Sequence, residues 1–241
     1  MPLDALISSM SLRHRITEAQ TAIRIAHTEP KLGQIALVSS FGAEAAVLLH
    51  LVAQTEPDMP VLFLETGKHF AETLTYQRQL ARDLGLRDLR LIRPDPEALS
   101  MQDPYGALHS FDAKACCALR KVAPLQSALQ GFDGWITGRK RYQGGSRKTL
   151  AVFEGDEATG KLKINPLAYW SFEEMRAYVQ SHALPPHPLL EQGYLSIGCA
   201  PCTQRAQSKD DPRSGRWSGQ DQSECGIHIS RSNDNNKGNA L

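Results

Sequence analysis

The chain has 241 residues, 41% of them hydrophobic, and sets 27 Lys and Arg against 26 Asp and Glu for a formal net charge of +1. That balance excludes a generally basic surface, so any anionic ligand must meet a local cluster of charge. The length supports one good core with a small appendage, and the longest apolar run, AAVLLHLVA at 45–53, falls far short of the ~20 residues that span a bilayer.

The N-terminus, MPLDALISSMSLRHR, places an acid before any base and has no apolar stretch leading to a small-residue cleavage site. A secretory signal is therefore not expected, and the cytoplasm is the expected compartment. In that compartment five cysteines are not expected to form structural disulfides.

In chain order, Leu6, Met10, Ile16, Ile23 and Ile25 carry helical spacing over about 4–28, ending near Pro30. QIALVSSF reads as a short buried strand, followed by a helix from Glu44 to about Ala53. VLFLE is the next strand, then a helix from about His69 to Leu84 closed by Gly85, then DLRLI as a strand. A helix from roughly Lys114 to Leu129 and the strand GWITG continue the alternation, which predicts a parallel sheet with crossover helices.

Beyond this, KTLAVFE and KLKINPL alternate at period two around GDEATG and predict a hairpin at one edge. GDEATGK imitates a phosphate loop, but Leu162 stands where Ser or Thr is needed and no helix pattern follows, so the hairpin turn is preferred. SFEEMRAYVQSH opens with Ser171 and Glu174 in capping-box spacing. From about Thr203 large apolar residues become scarce. The expected organisation is one α/β domain over 1–203 and a mobile tail over 204–241, ordered by what it binds.

Four features carry chemistry. SSFGAEAAV, 39–47, places two hydroxyls and a glycine between a strand and a helix N-terminus, where free amides and the helix dipole suit an anion; ordinary capping by Ser40 is the equal alternative. GRKRYQGGSR, 138–147, puts Arg139, Lys140, Arg141 and Arg147 on a glycine-rich loop at the same expected sheet edge, which favours a polyanionic small ligand. The adjacent Cys116 and Cys117, with Cys199 and Cys202 in CAPC, give four thiolates, the complement of a zinc site or a four-iron cluster. Vicinal ligands favour iron–sulfur, with zinc left open. Cys225, in SECGIH, sits in a polar tail with His228, Arg216 and Arg231 nearby, a setting that suits a nucleophile better than a buried small hydrophobe.

Taken together, SSFGAEAAV, FLETG, KACCALRK, GRKRYQGGSR, KINPLAYWS, GCAPCT and ECGIH resemble the assimilatory adenylyl-sulfate (APS) and phosphoadenylyl-sulfate (PAPS) reductases. The resemblance runs from about residue 30 to 229 and points to the thioredoxin-dependent iron–sulfur branch. One departure is Glu65, at a position more often Asp, which keeps the carboxylate. The resemblance implies a Rossmann-like parallel sheet of the adenine-nucleotide α-hydrolase type. It implies a [4Fe-4S] cluster on Cys116, Cys117, Cys199 and Cys202, with a structural and electrostatic role, and APS as the substrate of the cluster-bearing branch.

By the same matching Ser39, Ser40 and Gly42 line the nucleotide site, Leu64 and Thr66 lie near the adenine, and Gly138 lies near the ribose. Lys121, Arg147, Arg213, Arg216 and His228 meet the phosphosulfate, and Cys225 is the catalytic nucleophile. Thioredoxin or glutaredoxin is the implied reductant, and a homo-oligomer is expected. The alternatives are PAPS reduction, an ATP-dependent sulfurtransferase of the same fold, and a zinc-stabilised nucleic-acid module, against which the near-neutral charge argues.

Overall fold

A computed structural model describes residues 3–156, 159–208, 211–217 and 224–228. Helix α1 spans Leu3–Thr28, a little longer than its apolar spacing suggested. Its buried stripe is Ala19, Ala22, Ile23 and Ala26, with Ile16 packed beside it. Met10 and Ile25, counted with the apolar set from sequence, face outward. Ile25 stands two positions from Ile23, about 200° around the helix, and cannot share its face.

The sheet has six strands: β1 (Ile35–Ser39), β2 (Val61–Leu64), β3 (Leu89–Ile92), β4 (Gly134–Ile136), β5 (Phe153–Asp156) and β6 (Lys161–Ile164). Their order is β3-β2-β1-β4-β6-β5. Every neighbouring pair is parallel except the edge pair β5 and β6, which forms the expected hairpin, with its first strand starting at Phe153 because Lys148 and Thr149 belong to a 3-10 turn over Gly145–Thr149. GDEATG is therefore a strand end and turn, with Gly160 at φ 68 and residues 157 and 158 outside the described set.

Strand β1 is buried along its whole length, and its side chains divide by period two between two cores. Ile35 and Leu37 join a core formed with α1, α2 (Ala45–Thr55), α3 (Ala71–Asp83) and α8 (Phe172–Ser181). Ala36 and Val38 join a second core on the opposite face, with Leu62, Leu64, Leu125, Leu129 and Trp135. Such two-sided burial explains why the central strand reads as a continuous apolar run. The Ser171 and Glu174 capping box opens α8 as its spacing predicted.

Two short helices, α4 (Pro96–Gln102) and α5 (Leu108–Phe111), were not legible in the sequence; each is too short to display a period. The helix expected over Lys114 to Leu129 is instead a composite. It comprises α6 (Ala113–Cys117), a π-helical turn over Ala118–Val122, α7 (Ala123–Ala128) and a closing 3-10 turn, Leu129–Gly131. Pro124 lies just inside α7, where its missing N–H coincides with the turn that changes hand-hold from i−4 to i−5 bonding.

The parallel order reverses direction between β1 and β4, because β2 and β3 follow on one side of β1 and β4 lies on the other. The connections leaving the carboxyl ends of these two paired strands therefore run to opposite sides, and a crevice opens between them. Among the described residues no helix is long and apolar enough to cross a membrane.

Candidate active site

The crevice holds a cavity of about 200 Å³. Of the residues singled out from sequence, Ser39, Ser40, Gly42, Leu64, Lys121, Gly138, Arg147, Arg213, Arg216, Cys225 and His228 all line it. Thr66 does not: it is fully buried, and its hydroxyl lies 3.3 Å from the Cys199 sulfur, beneath the cysteines.

The floor is the loop after β1. Ser39 Oγ accepts from the Phe41 amide at 3.2 Å, and Phe41 adopts a left-handed φ of 49. A β-carbon on Gly42 would stand 2.9 Å from the Ile197 carbonyl oxygen, so glycine is required where the Ile197 segment crosses the loop. Helix α2 begins without a side-chain cap. Ser40 is thus not its cap, and the first amides of α2 face the cavity side with the positive end of the dipole.

The opposite wall is the loop after β4, and its cations are already paired. Lys140 donates to Glu44 at 2.7 Å, where Tyr142 and Gln143 also donate. Burial alone would raise the Glu44 carboxyl, but Lys140 and these donors hold it below the usual range. Arg139 pairs with Glu154, and Arg141 stacks on Tyr169 with its guanidinium carbon 4.2 Å from the ring centroid. Arg147 reaches Glu224, beside Cys225. The local charge expected from sequence is present, and most of it builds the loop.

The described parts of the tail, 204–208, 211–217 and 224–228, pack onto the domain; the remainder of the tail lies outside the described residues. Gln204 donates its amide to Gly215 at 2.7 Å, and Trp217 donates to the Cys202 carbonyl at 3.2 Å. Trp217 is buried, with Arg213 and Arg216 over its ring at 5.2 and 4.4 Å. Farther on, Ile227 packs into the second core, and the His228 ring stacks on Trp135 at 5.6 Å with planes 4° apart.

His228 Nδ1 is shut off from solvent and has no hydrogen-bond partner among the described residues. Loss of solvent, with Arg139, Arg147, Lys163 and Arg213 around it, pushes its proton affinity well below the usual range. At neutral pH it is an uncharged ring in the lining of the cavity.

Cys225 is half-buried, and the Lys121 ammonium donates to its sulfur across 3.8 Å. Burial works against the charge on Lys121, but Cys225, Cys199 and Cys117 more than offset it and hold the proton above the ordinary lysine range. The π-helical turn that carries Lys121 also touches the Cys225 segment, since a β-carbon on Gly226 would lie 3.2 Å from Val122 and 3.4 Å from Cys117.

Behind this wall lie the other four thiols, none of them in a disulfide. Cys116, Cys117 and Cys199 are buried. Burial pushes the Cys116 thiol up to about 11, Cys117 adds to the rise, Arg120 opposes it, and Cys199 and Cys202 contribute further. Cys202 is raised by burial and by Cys199 and Cys117, against Lys121 and Arg216. The four sulfurs therefore share one electrostatic neighbourhood, lined by three cations. Among the described residues no three His, Cys, Asp or Glu side chains are gathered closely enough to hold a single metal ion.

Trp135, Trp217, Glu44, His69, Gln143 and Glu224 also line the cavity and were missed in the sequence. Apart from Glu224, which adjoins Cys225, each reads in isolation as ordinary core or loop.

The chain matches the phosphoadenosine phosphosulfate reductase domain over residues 34–205. It is 50% identical over 197 residues to a Mesorhizobium japonicum protein named adenosine 5'-phosphosulfate reductase, covering 82% of this chain and 77% of that one. A Chelativorans protein of the same name is 47% identical over 233 residues, 95% of this chain and 94% of its own. Among solved structures, phosphoadenylyl-sulfate reductase from Candida auris in complex with phosphate aligns at a TM-score of 0.65 with 28% identity, covering 77% of this chain and 90% of that one.

Proposed function

Because the chain belongs to the phosphoadenosine phosphosulfate reductase family, we propose that it reduces adenylyl sulfate to sulfite and AMP, with Cys225 as the nucleophile. It is an oxidoreductase acting on a sulfur group, and its place is in sulfate assimilation. The observation that carries the assignment of roles is the convergence of Cys225, Lys121, His228 and the α2 N-terminus on one crevice.

The phosphosulfate enters with its phosphate toward the loop 39–44 and the α2 amides, and its sulfur toward Cys225. The Cys225 thiolate attacks that sulfur, the sulfur–oxygen bond to AMP breaks, and the electron pair leaves on the phosphate oxygen. Arg216, Lys121 and the α2 dipole meet the charge that develops there. Neutral His228 donates its one N–H to the sulfonate without adding charge. The sulfonyl group is now on Cys225. A dithiol protein of the thioredoxin class then attacks the Cys225 sulfur and expels sulfite, and its second thiol resolves the mixed disulfide and regenerates Cys225.

Cys116, Cys117, Cys199 and Cys202 would hold a [4Fe-4S] cluster. Four thiols that influence one another's proton affinity behind one wall of the crevice are the donor set such a cluster would take. When bound it supplies a fixed centre of charge and rigidity behind Lys121. The chain's own residues perform the transfer to Cys225, and the dithiol partner performs the release of sulfite.

Intact and peptide mass spectrometry after anaerobic incubation with APS and no reductant tests the proposal. The expected result is a gain of one SO3 group on Cys225 that thioredoxin removes; no adduct in cluster-loaded protein refutes the covalent route. The likeness to a phosphoadenylyl-sulfate reductase supports PAPS as a second substrate, tested by the same incubation with PAPS.

A further inference from the structure

The fork of Arg147 is occupied by the chain itself. Its Nε and Nη2 each donate to one Glu224 carboxylate oxygen at 2.7 Å, and its Nη1 donates to the Gln143 side-chain oxygen. Arg213 adds a donor to the same carboxylate at 3.2 Å, and the Cys225 amide adds another at 2.8 Å. Both Arg147 and Glu224 are buried, at 8% and 7% exposure, so this is a desolvated clamp and not a surface pair.

A carboxylate and a phosphate or sulfate edge present the same pair of oxygens to a guanidinium. One fork serves one of them at a time. Glu224 also adjoins Cys225, whose amide donates to the same carboxylate at 2.8 Å, so drawing the carboxylate out of the fork removes a bond that fixes the nucleophile's backbone.

We propose that Glu224 is an internal anion that keeps the phosphosulfate's place on Arg147 and Arg213, and that an incoming anion displaces it and thereby releases the Cys225 segment. This rests on the reading of those arginines as phosphosulfate ligands. The carboxylate offsets repulsion among Arg139, Arg147 and Arg213. A dianionic group, aided by the α2 N-terminus, outcompetes it. An uncharged nucleoside has nothing to exchange for Glu224 and leaves the segment docked.

The test is the rate at which iodoacetamide alkylates Cys225 in the full chain, followed on its peptide by mass spectrometry. Inorganic sulfate should speed alkylation roughly tenfold over chloride at matched ionic strength, the ratio expected for loss of one charge-assisted clamp, and adenosine should not. Glu224→Gln should react fast already in chloride, respond little to sulfate, and show a lower KM for APS.

Equal rates for wild-type protein in chloride and sulfate overturn the proposal without reference to any variant. So does a Glu224→Gln enzyme with lowered kcat and unchanged KM, the mark of a residue needed in the closed reacting state. Arg147→Ala with an unchanged KM for APS would instead remove the phosphosulfate assignment, and the proposal with it.

Discussion

The Lys121 ammonium lies 3.8 Å from the Cys225 sulfur, a contact between residues 104 positions apart in the chain. It joins the cysteine-bearing helix to the tail, so one cation faces both the nucleophile and the four-thiol group behind it.

Lys121→Met keeps the length of the side chain and removes the donor. We expect kcat/KM for APS to fall about 10²- to 10³-fold, as for loss of one donor at a developing charge, with SO3 transfer to Cys225 slowed in proportion. Single-turnover kinetics in the absence of reductant would check this. An unchanged transfer rate would remove Lys121 from the chemistry.

Gly198 faces Arg216: a β-carbon there would lie 2.3 Å from Nη2. The obstacle is the end of a flexible side chain, so Gly198→Ala should fold and push the guanidinium aside. The expected consequence is a roughly tenfold to hundredfold rise in KM for APS with little change in Tm. A large Tm loss at constant KM would show that the glycine serves the backbone and not the arginine.

Asp103 and Arg120 form a buried pair at 2.6 Å, and Arg120 also donates to the Thr66 carbonyl at 2.8 Å. Asp103→Ala strands that guanidinium in the interior, at a cost of about 3 kcal/mol or more. Calorimetry should show a Tm lower by roughly 8 °C, and adding Arg120→Met should restore part of it. A loss under about 1 kcal/mol would mean that solvent reaches the pair.

His187 is fully buried; its Nδ1 accepts from the Leu189 amide at 3.2 Å and its Nε2 meets Thr73 Oγ1 at 3.1 Å. Burial lowers its pKa from 6.5 to about 4. The unfolded chain therefore binds a proton below pH 6.5 that the folded chain refuses. Stability from this residue is complete above pH 6.5 and drains away as the pH falls toward 4. Between pH 7.5 and 5 the loss is about 2 kcal/mol, visible as a fall in urea midpoint that His187→Gln lacks. Parallel pH curves for the two proteins would refute this.

The parallel sheet was legible because its strands are short apolar runs between strong helix signals, and the capping box at Ser171 because it is a local code. The composite around Ala118–Val122 was hidden, since α and π turns share one composition and only the tertiary contacts of Lys121 and Gly226 distinguish them. Cys225 stood out by its unsuitable surroundings. Trp135 gave no such sign: a tryptophan in a strand reads as core, and only the stacked His228 ring, 93 positions later, gives it a second use. Thr66 shows the opposite case: Leu64, two positions before it, lines the cavity, while its own hydroxyl turns toward the Cys199 sulfur.

The π-helical turn sets the phase between two functions. Each helical residue advances the chain by about 100°, and a π turn is an α-helix with one residue to spare. Deleting a single residue between Ala118 and Lys121 would leave a regular helix, yet would change both the angle and the rise along the axis between Lys121 and the thiols of Cys116 and Cys117. In this segment length acts as an angular gauge: substitutions adjust the strength of contacts, whereas insertions and deletions decide whether the thiols and the lysine face each other at all.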